Sequence, residues 1–247
     1  MKAMNMKAMN IKKRATLALL SLALGSVAMA QQPKAGTVSI LPRVGVSLAN
    51  LPGDNIYVAD SPEMTFSSRY KAGLTAGVDV DWQFMPNLSV MLGAHYVQQG
   101  AKYGNDGYEV KVTEGSYRGT GYSDWSTKLH YINVPLLLNA YLGTGFAIKA
   151  GVQVGFPLSG KMEYTETSYT MTNDDVTYDK PQNMKYNLNS TLTKVTVAIP
   201  VGVSYEYSNV ILDARYNIGL NGFQNISGVK SSKNSVFTFS VAYRLAL

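Results

Sequence analysis

The 247-residue chain contains no cysteine. A disulfide framework, a thiolate nucleophile and a cysteine-ligated metal are therefore all closed to it. Histidine is nearly absent as well. His95 and His130 are the only two, so histidine-rich metal sites and Ser-His-Asp constellations have little to draw on. Charged residues make up 15% of the chain, which is low for a soluble exported domain. No apolar run reaches 18 residues, which excludes a spanning helix. No Walker or Rossmann glycine pattern stands between a strand and a helix.

The N-terminus carries an export pattern. Lys12, Lys13 and Arg14 precede an apolar stretch from Ala15 to Val27, and Ala28-Met29-Ala30 fits an A-x-A cleavage site. Residues 1–30 are expected to be a cleaved signal peptide and 31–36 a short linker. Of the 22 Lys+Arg, the leader holds five (Lys2, Lys7, Lys12, Lys13 and Arg14) and no acid. The remainder carries 17 cations against 16 acids, a net of +1. No basic stripe is left to read, so nucleic acid is not an expected partner.

From residue 37 to 247 the pattern has a period of two. It resolves into eight strands near 37–50, 66–84, 88–103, 125–142, 146–160, 191–207, 210–220 and 234–247. Their connections alternate. Residues 85–87, 143–145 and 208–209 are tight turns. The segments 51–65, 104–124, 161–190 and 221–233 read as long polar loops. Short turns at one end and long loops at the other suit a membrane barrel. In the sixth strand Val197, Ile199, Val201 and Val203 share one face, and Thr196, Ala198, Gly202 and Ser204 share the other. Small side chains on the polar face fit a narrow interior, whereas a soluble barrel would carry many long charged ones there. The expected fold is all-β, an eight-stranded antiparallel up-and-down transmembrane β-barrel.

This register turns a short list of charges inward. Arg43, Lys71, Lys149, Arg215 and Arg244 would face Asp79, Asp81, Glu206 and Asp213 in a lumen ion-pair network, with His95 beside them. A one-residue slip would expose these nine charges to lipid, costing on the order of 10–30 kcal/mol in total. The stretch "HYINVPLLLNAYLG" is then a spanning strand with Pro135 inward. Bulges are expected at Pro135, Pro157 and Pro200. Two aromatic girdles are expected: Trp82, Phe84, Phe146, Tyr205, Tyr207 and Tyr243 at one end, and Tyr70, Tyr96, Trp125 and Phe156 at the other.

"KLHYINVPLLLNAYLG" contains an L-x-x-x-x-[IV]-P-L-L-L pattern from Leu129, and "LDARYNIGLNG" (212–222) contains D-x-R-Y-x-x-G-L. Both resemble PorT-type outer-membrane β-barrel proteins of Gram-negative bacteria. The resemblance spans residue 37 to the end. It implies an exported barrel of the outer membrane and assigns no activity.

No catalytic, cofactor or metal residues are expected. His95 with Asp79 and Asp81 could form an acid–base or metal site, but a hydrogen-bonded lumen histidine accounts for the same residues. Asp174, Asp175 and Asp179 do not have EF-hand spacing. They share their loop with Tyr164, Tyr169, Tyr178 and Tyr186, a composition suited to recognition. The functional expectation is a small structural or interaction barrel, presenting long loops outside the cell. The alternatives are a narrow solute channel and a subunit of a secretion complex. The partners expected are outer-membrane lipids, the barrel-assembly machinery during insertion, and an extracellular or envelope protein reached through the loops. The barrel itself is expected to be a monomer.

Overall fold

The computed structural model describes residues 34–52, 56–58, 61–113, 115–143, 145–173, 175–225 and 231–247. The expected signal peptide and the first linker residues lie outside these. Eight strands form the body: β1 (Val38–Asn50), β2 (Lys71–Met85), β3 (Leu88–Tyr103), β4 (Ser116–Tyr141), β5 (Phe146–Thr172), β6 (Thr196–Tyr207), β7 (Val210–Gly222) and β8 (Lys233–Tyr243). Each pairs antiparallel with the next. β8 returns to β1, from Arg43↔Ala242 to Asn50↔Ser235. That pairing closes the ring and leaves its body without an edge. No described helix is long and apolar enough to cross a membrane; the crossing elements are strands.

The period of two decides which way each residue faces. Val44, Val46, Val78, Val80, Leu92, Leu136, Leu138, Ile148, Val152, Val201, Val203, Leu212, Phe239 and Val241 point out and are exposed. Between them, Ser39, Ser47, Thr75, Asn133, Asn139, Gln153 and Ser204 point in and are buried. The apolar face is thus the outer one, inverted relative to a soluble barrel, as lipid demands.

The prolines sit differently from expectation. Only Pro157 accompanies a register shift: His130 pairs with Ser159 and Tyr131 with Pro157, leaving Leu158 as an extra residue. At Pro135 the β3–β4 ladder skips two positions between Leu92↔Leu136 and His95↔Asn133, without changing register. The residue opposite is Gly93. At Pro200 the β5–β6 ladder skips likewise between Ala198↔Gln153 and Val201↔Ala150, opposite Gly151. Each proline lacks the donor the ladder would need. A gap facing glycine accommodates it without a bulge.

Three expected loops are not plain loops: within 51–65, strands 56–58 and 61–66 pair in a two-stranded sheet of their own, and 104–124 and 161–190 extend the barrel wall. β4 and β5 stay paired from Tyr141↔Ala147 up to Ser116↔Thr172, far beyond the ring. Strand 106–113 adds to the β4 side. Strands 175–178 and 182–187 add to the β5 side. The latter two segments therefore form a raised β-ribbon. Thr165, Thr167, Tyr169 and Thr170 have strong strand propensity. They show no hydrophobic alternation because both faces of the ribbon are partly wet. β2 also starts at Lys71 rather than 66, and β6 at Thr196 rather than 191.

Leu138→Arg, on the apolar belt, is expected to destabilise the folded barrel by about 2–4 kcal/mol. Thr177→Arg, exposed on the ribbon, is expected to stay within about 0.5 kcal/mol. Urea titration in lipid vesicles, with folded and unfolded forms separated by electrophoretic mobility, checks both.

Candidate functional site

The interior is built in layers, starting at the short-turn end. Ser39, Asp81, Ser89, Asn139, Tyr141, Glu206 and Arg244 all lie near the starts or ends of strands joined by tight turns. The Arg244 guanidinium spans this level. Its Nη1 donates to Asp81 Oδ2 at 2.8 Å and its Nε to Glu206 Oε1 at 2.8 Å. Its Nη2 reaches Glu206 Oε2 at 3.0 Å and the Tyr141 hydroxyl at 3.1 Å. Ser89 donates to Asp81 Oδ1 at 2.6 Å, and Asn139 Nδ2 adds a bond to the same oxygen at 3.2 Å. The carboxylates outnumber the cation by one here.

One level further in, the balance reverses. Arg43 pairs with Asp79 and lies 3.4 Å from Asp213. Lys149 Nζ meets Asp213 Oδ2 at 2.5 Å, and Arg215 Nε meets Asp213 Oδ1 at 2.7 Å. Arg215 Nη2 also lies 3.6 Å from Asp79. Three cations share two carboxylates. His95 Nε2 sits 2.7 Å from Asp79 Oδ1. Gly93 gives this pair its room, since a Cβ there would fall against Asp79 and within 2.8 Å of His95 Nε2. With His95 neutral, the two levels together hold four cations and four carboxylates. Each level's excess charge faces the opposite excess next to it.

Of the ten residues expected in the network, the structure brings nine together and leaves Lys71 apart. β2 pairs with β3 from Thr75 onward, and again only at Ser68–Arg69. Lys71 lies in the interrupted stretch at the long-loop end. Beyond the spanning residues, burial and then Lys128 and Lys102 hold its ammonium below the usual lysine range.

Above the ion pairs lie two small cavities of about 20 Å³ each. Asn133, Gln153 and Asn217 line both. Each has room for about one water. Above them, the mouth is crossed by Leu51, Ala101, Tyr103, Trp125, Leu129, Tyr131 and Phe223, all buried. These come from the ends of β1, β3, β4 and β7, so the cluster bridges opposite walls.

Trp125 was expected in a lipid-facing girdle and is instead 6% exposed in this cap. Alternation alone puts it there, since Trp125 shares the odd-numbered row of Thr127, Leu129, Tyr131 and Asn133, all of which face inward. Ser123 pairs with Thr165 and Ser126 with Glu163, so two β4 residues oppose Tyr164 alone. Asp124 takes the left-handed conformation at φ 53°. The indole lies 4.5 Å from the Tyr164 ring. Tyr122 packs on both rings at 5.6 and 5.7 Å. Tyr164 stacks on Tyr186 with hydroxyls 3.3 Å apart. Burial, then the Tyr186 hydroxyl, pushes the Tyr164 phenol above its ordinary range. This aromatic stack roots the ribbon on the cap. Tyr169 and Tyr178 form a second pair further out, at 5.8 Å.

Among the described residues, no three His, Cys, Asp or Glu side chains are arranged to hold a metal. Asp174 lies outside the described residues, whereas Asp175 and Asp179 are exposed.

Asp213→Asn removes the carboxylate shared by Arg43, Lys149 and Arg215. A loss of about 3–5 kcal/mol is expected, as for any broken buried pair. Adding Lys149→Met, which takes away one orphaned cation, is expected to recover part of it. A double-mutant cycle on urea unfolding measures the coupling.

Residues 29–225 match the model of a family described as outer membrane protein beta-barrel domain. No curated protein matches the chain significantly. Among solved structures, it is similar to Ail of Yersinia pestis in complex with the heparin analogue sucrose octasulfate. That pair has a TM-score of 0.40 and 13% identity, covering 85% of this chain and 99% of the other. Neisserial surface protein A gives 0.38 and 12%, covering 84% and 97%. OprG from Pseudomonas aeruginosa gives 0.36 and 14%, covering 87% and 98%.

Proposed function

The chain belongs to the outer membrane protein beta-barrel domain family, and on that premise we propose that it is a non-conducting recognition barrel, holding a β-ribbon above the membrane for a protein partner. The observation that carries this reading is the pairing of β4 with β5 up to Ser116↔Thr172. An isolated two-stranded hairpin is marginal in water. Here added strands, the aromatic stack and the cap secure it. Among the described residues, the outermost strands of the ribbon, 106–113 on the β4 side and 175–178 and 182–187 on the β5 side, have one unpaired edge each. Gln182, Asn183, Lys185, Tyr186 and Asn187 are exposed along that second edge. Unpaired edges bind extended segments of other proteins by strand addition. Tyrosines beside polar residues add adaptable contact area.

The lumen favours this reading over the channel. Two ion-pair levels and an aromatic cap stand in series along it, and the cavities between hold no more than about one water each. The PorT-type resemblance, export by a cleaved signal peptide, insertion by the barrel-assembly machinery and a monomeric barrel belong to the same reading. No catalysis is assigned, because His95 is buried and engaged by Asp79.

Two measurements test it. Planar-bilayer recordings of the refolded barrel are expected to show no discrete conductance; regular steps would restore the channel. A photo-crosslinking residue at Thr177, on the ribbon, is expected to capture a defined protein on intact cells. The same group at Asn87, in a short turn, should not capture it. Replacing 105–122 and 166–181 with tight turns should abolish capture while the barrel still folds.

A further inference from the structure

The outward face of the barrel changes character where the ribbon begins. Ile132 and Phe156 lie on the apolar belt, and Leu158 is exposed beside them. Lys161 follows three residues after Leu158. Lys128 lies four residues before Ile132, on the same outward row. For strands tilted near 45°, that places both ammonium groups roughly 7–10 Å beyond the hydrocarbon. This is the depth of lipid headgroups.

The basic residues at this level crowd one another. Lys128 lies directly opposite Lys161 across β4 and β5. Arg69 lies directly opposite Lys102 on the neighbouring pair of strands. Lys102 is one step from Lys128 along the β3–β4 ladder, where Gly100 pairs with Lys128 and Lys102 with Ser126. Lys185 faces Glu163 on the far side. Like charges directly opposite on a sheet destabilise it, and this chain has two such pairs at one height. Glu163 makes an ion pair with Lys128, a bond that holds its carboxyl below the usual range. Among the described residues, the other carboxylate at this height is Asp124, at the β4 bulge. Neither is opposite Arg69, Lys102 or Lys161.

We propose that Arg69, Lys102, Lys128 and Lys161 form a binding surface for the phosphate groups of a phosphorylated glycolipid in the outer leaflet. An anionic headgroup between these strands offsets the two like-charge pairs. Lysines can reach down to it while their stems stay along the wall. The side on which the patch lies, that of the ribbon rather than the short turns, selects the outer leaflet. Its continuity with the apolar belt selects a lipid over a soluble anion.

The test uses the full barrel refolded in mild detergent. It is titrated with monophosphorylated lipid A and, separately, with the same lipid after enzymatic dephosphorylation, and the bound fraction is read by native mass spectrometry. Tighter binding of the phosphorylated form, by about tenfold or more, is expected, and this preference should fade with added salt. The triple variant Lys102→Gln, Lys128→Gln and Lys161→Gln is expected to weaken it on the order of 100-fold, at about one kcal/mol per cation. Equal binding of both lipids by the unaltered chain overturns the proposal. So does a folded triple variant that keeps its affinity. If that variant does not fold, the comparison of the two lipids on the unaltered chain decides alone.

Discussion

A ring of eight strands is too narrow to enclose anything but its own side chains, and this chain packs that space with charge. The fold depends on one arrangement: Asp213 and Asp79 between Arg43, Arg215 and Lys149, with Arg244 clamped by Asp81 and Glu206 beneath. A buried charge is tolerated only when paired and hydrogen-bonded. These groups have partners in a single register. Shifting β1, β2, β5, β6, β7 or the end of β8 by one residue would push a cation or carboxylate into lipid and strip its counter-charge of a partner. The network therefore selects among barrels of the same strands, where hydrophobicity alone would not.

The same network explains why weak places in the ladder are tolerated. Pro135 and Pro200 each interrupt hydrogen bonding on one side, in a solvent that cannot replace the lost bonds. Both prolines are buried on the lumen side. Gly93 and Gly151 face the two gaps, and both adjoin the ion-pair levels. Gly93 sits beside the Asp79–His95 pair, and Asn139 on β4 pairs with Lys149 on β5. Backbone defects are concentrated where side-chain cross-links run across the lumen.

Much of this was legible in the residues. The eight spanning strands were marked by alternation, and nine lumen network residues by their place in it. Lys71 obeyed the same parity and still fell outside, because it stands at the long-loop start of β2, eight residues along the strand from Asp79. The ribbon was not legible. Hydrophobic alternation reports a difference between two faces, and a ribbon wet on both has none; its Thr and Tyr content was the signal available. Trp125 was misplaced for another reason. It shares the odd-numbered row of Leu129, Tyr131 and Asn133, so alternation itself points it inward, and its aromatic character near a strand end had outweighed that parity. The basic patch was invisible to composition. Arg69, Lys102, Lys128 and Lys161 are spaced by roughly one strand and turn each, and only the up-and-down topology lifts them to one height.

These features divide the molecule by what each part can do. Groups locked in the lumen meet one another and little else, so the proposed recognition falls to surfaces outside the ring. Two such surfaces differ from the rest of the wall. One is the ribbon, whose unpaired edges and exposed tyrosines project away from the membrane. The other is the cluster of like charges at its root. They share strands: Lys128 and Lys161 stand on β4 and β5 immediately below the aromatic stack of Trp125, Tyr164 and Tyr186. A headgroup held at that cluster would brace the base of the ribbon from outside, as the cap braces it from within. The orientation of the ribbon above the membrane is then set jointly by a dry aromatic contact on one face and an ionic one on the other.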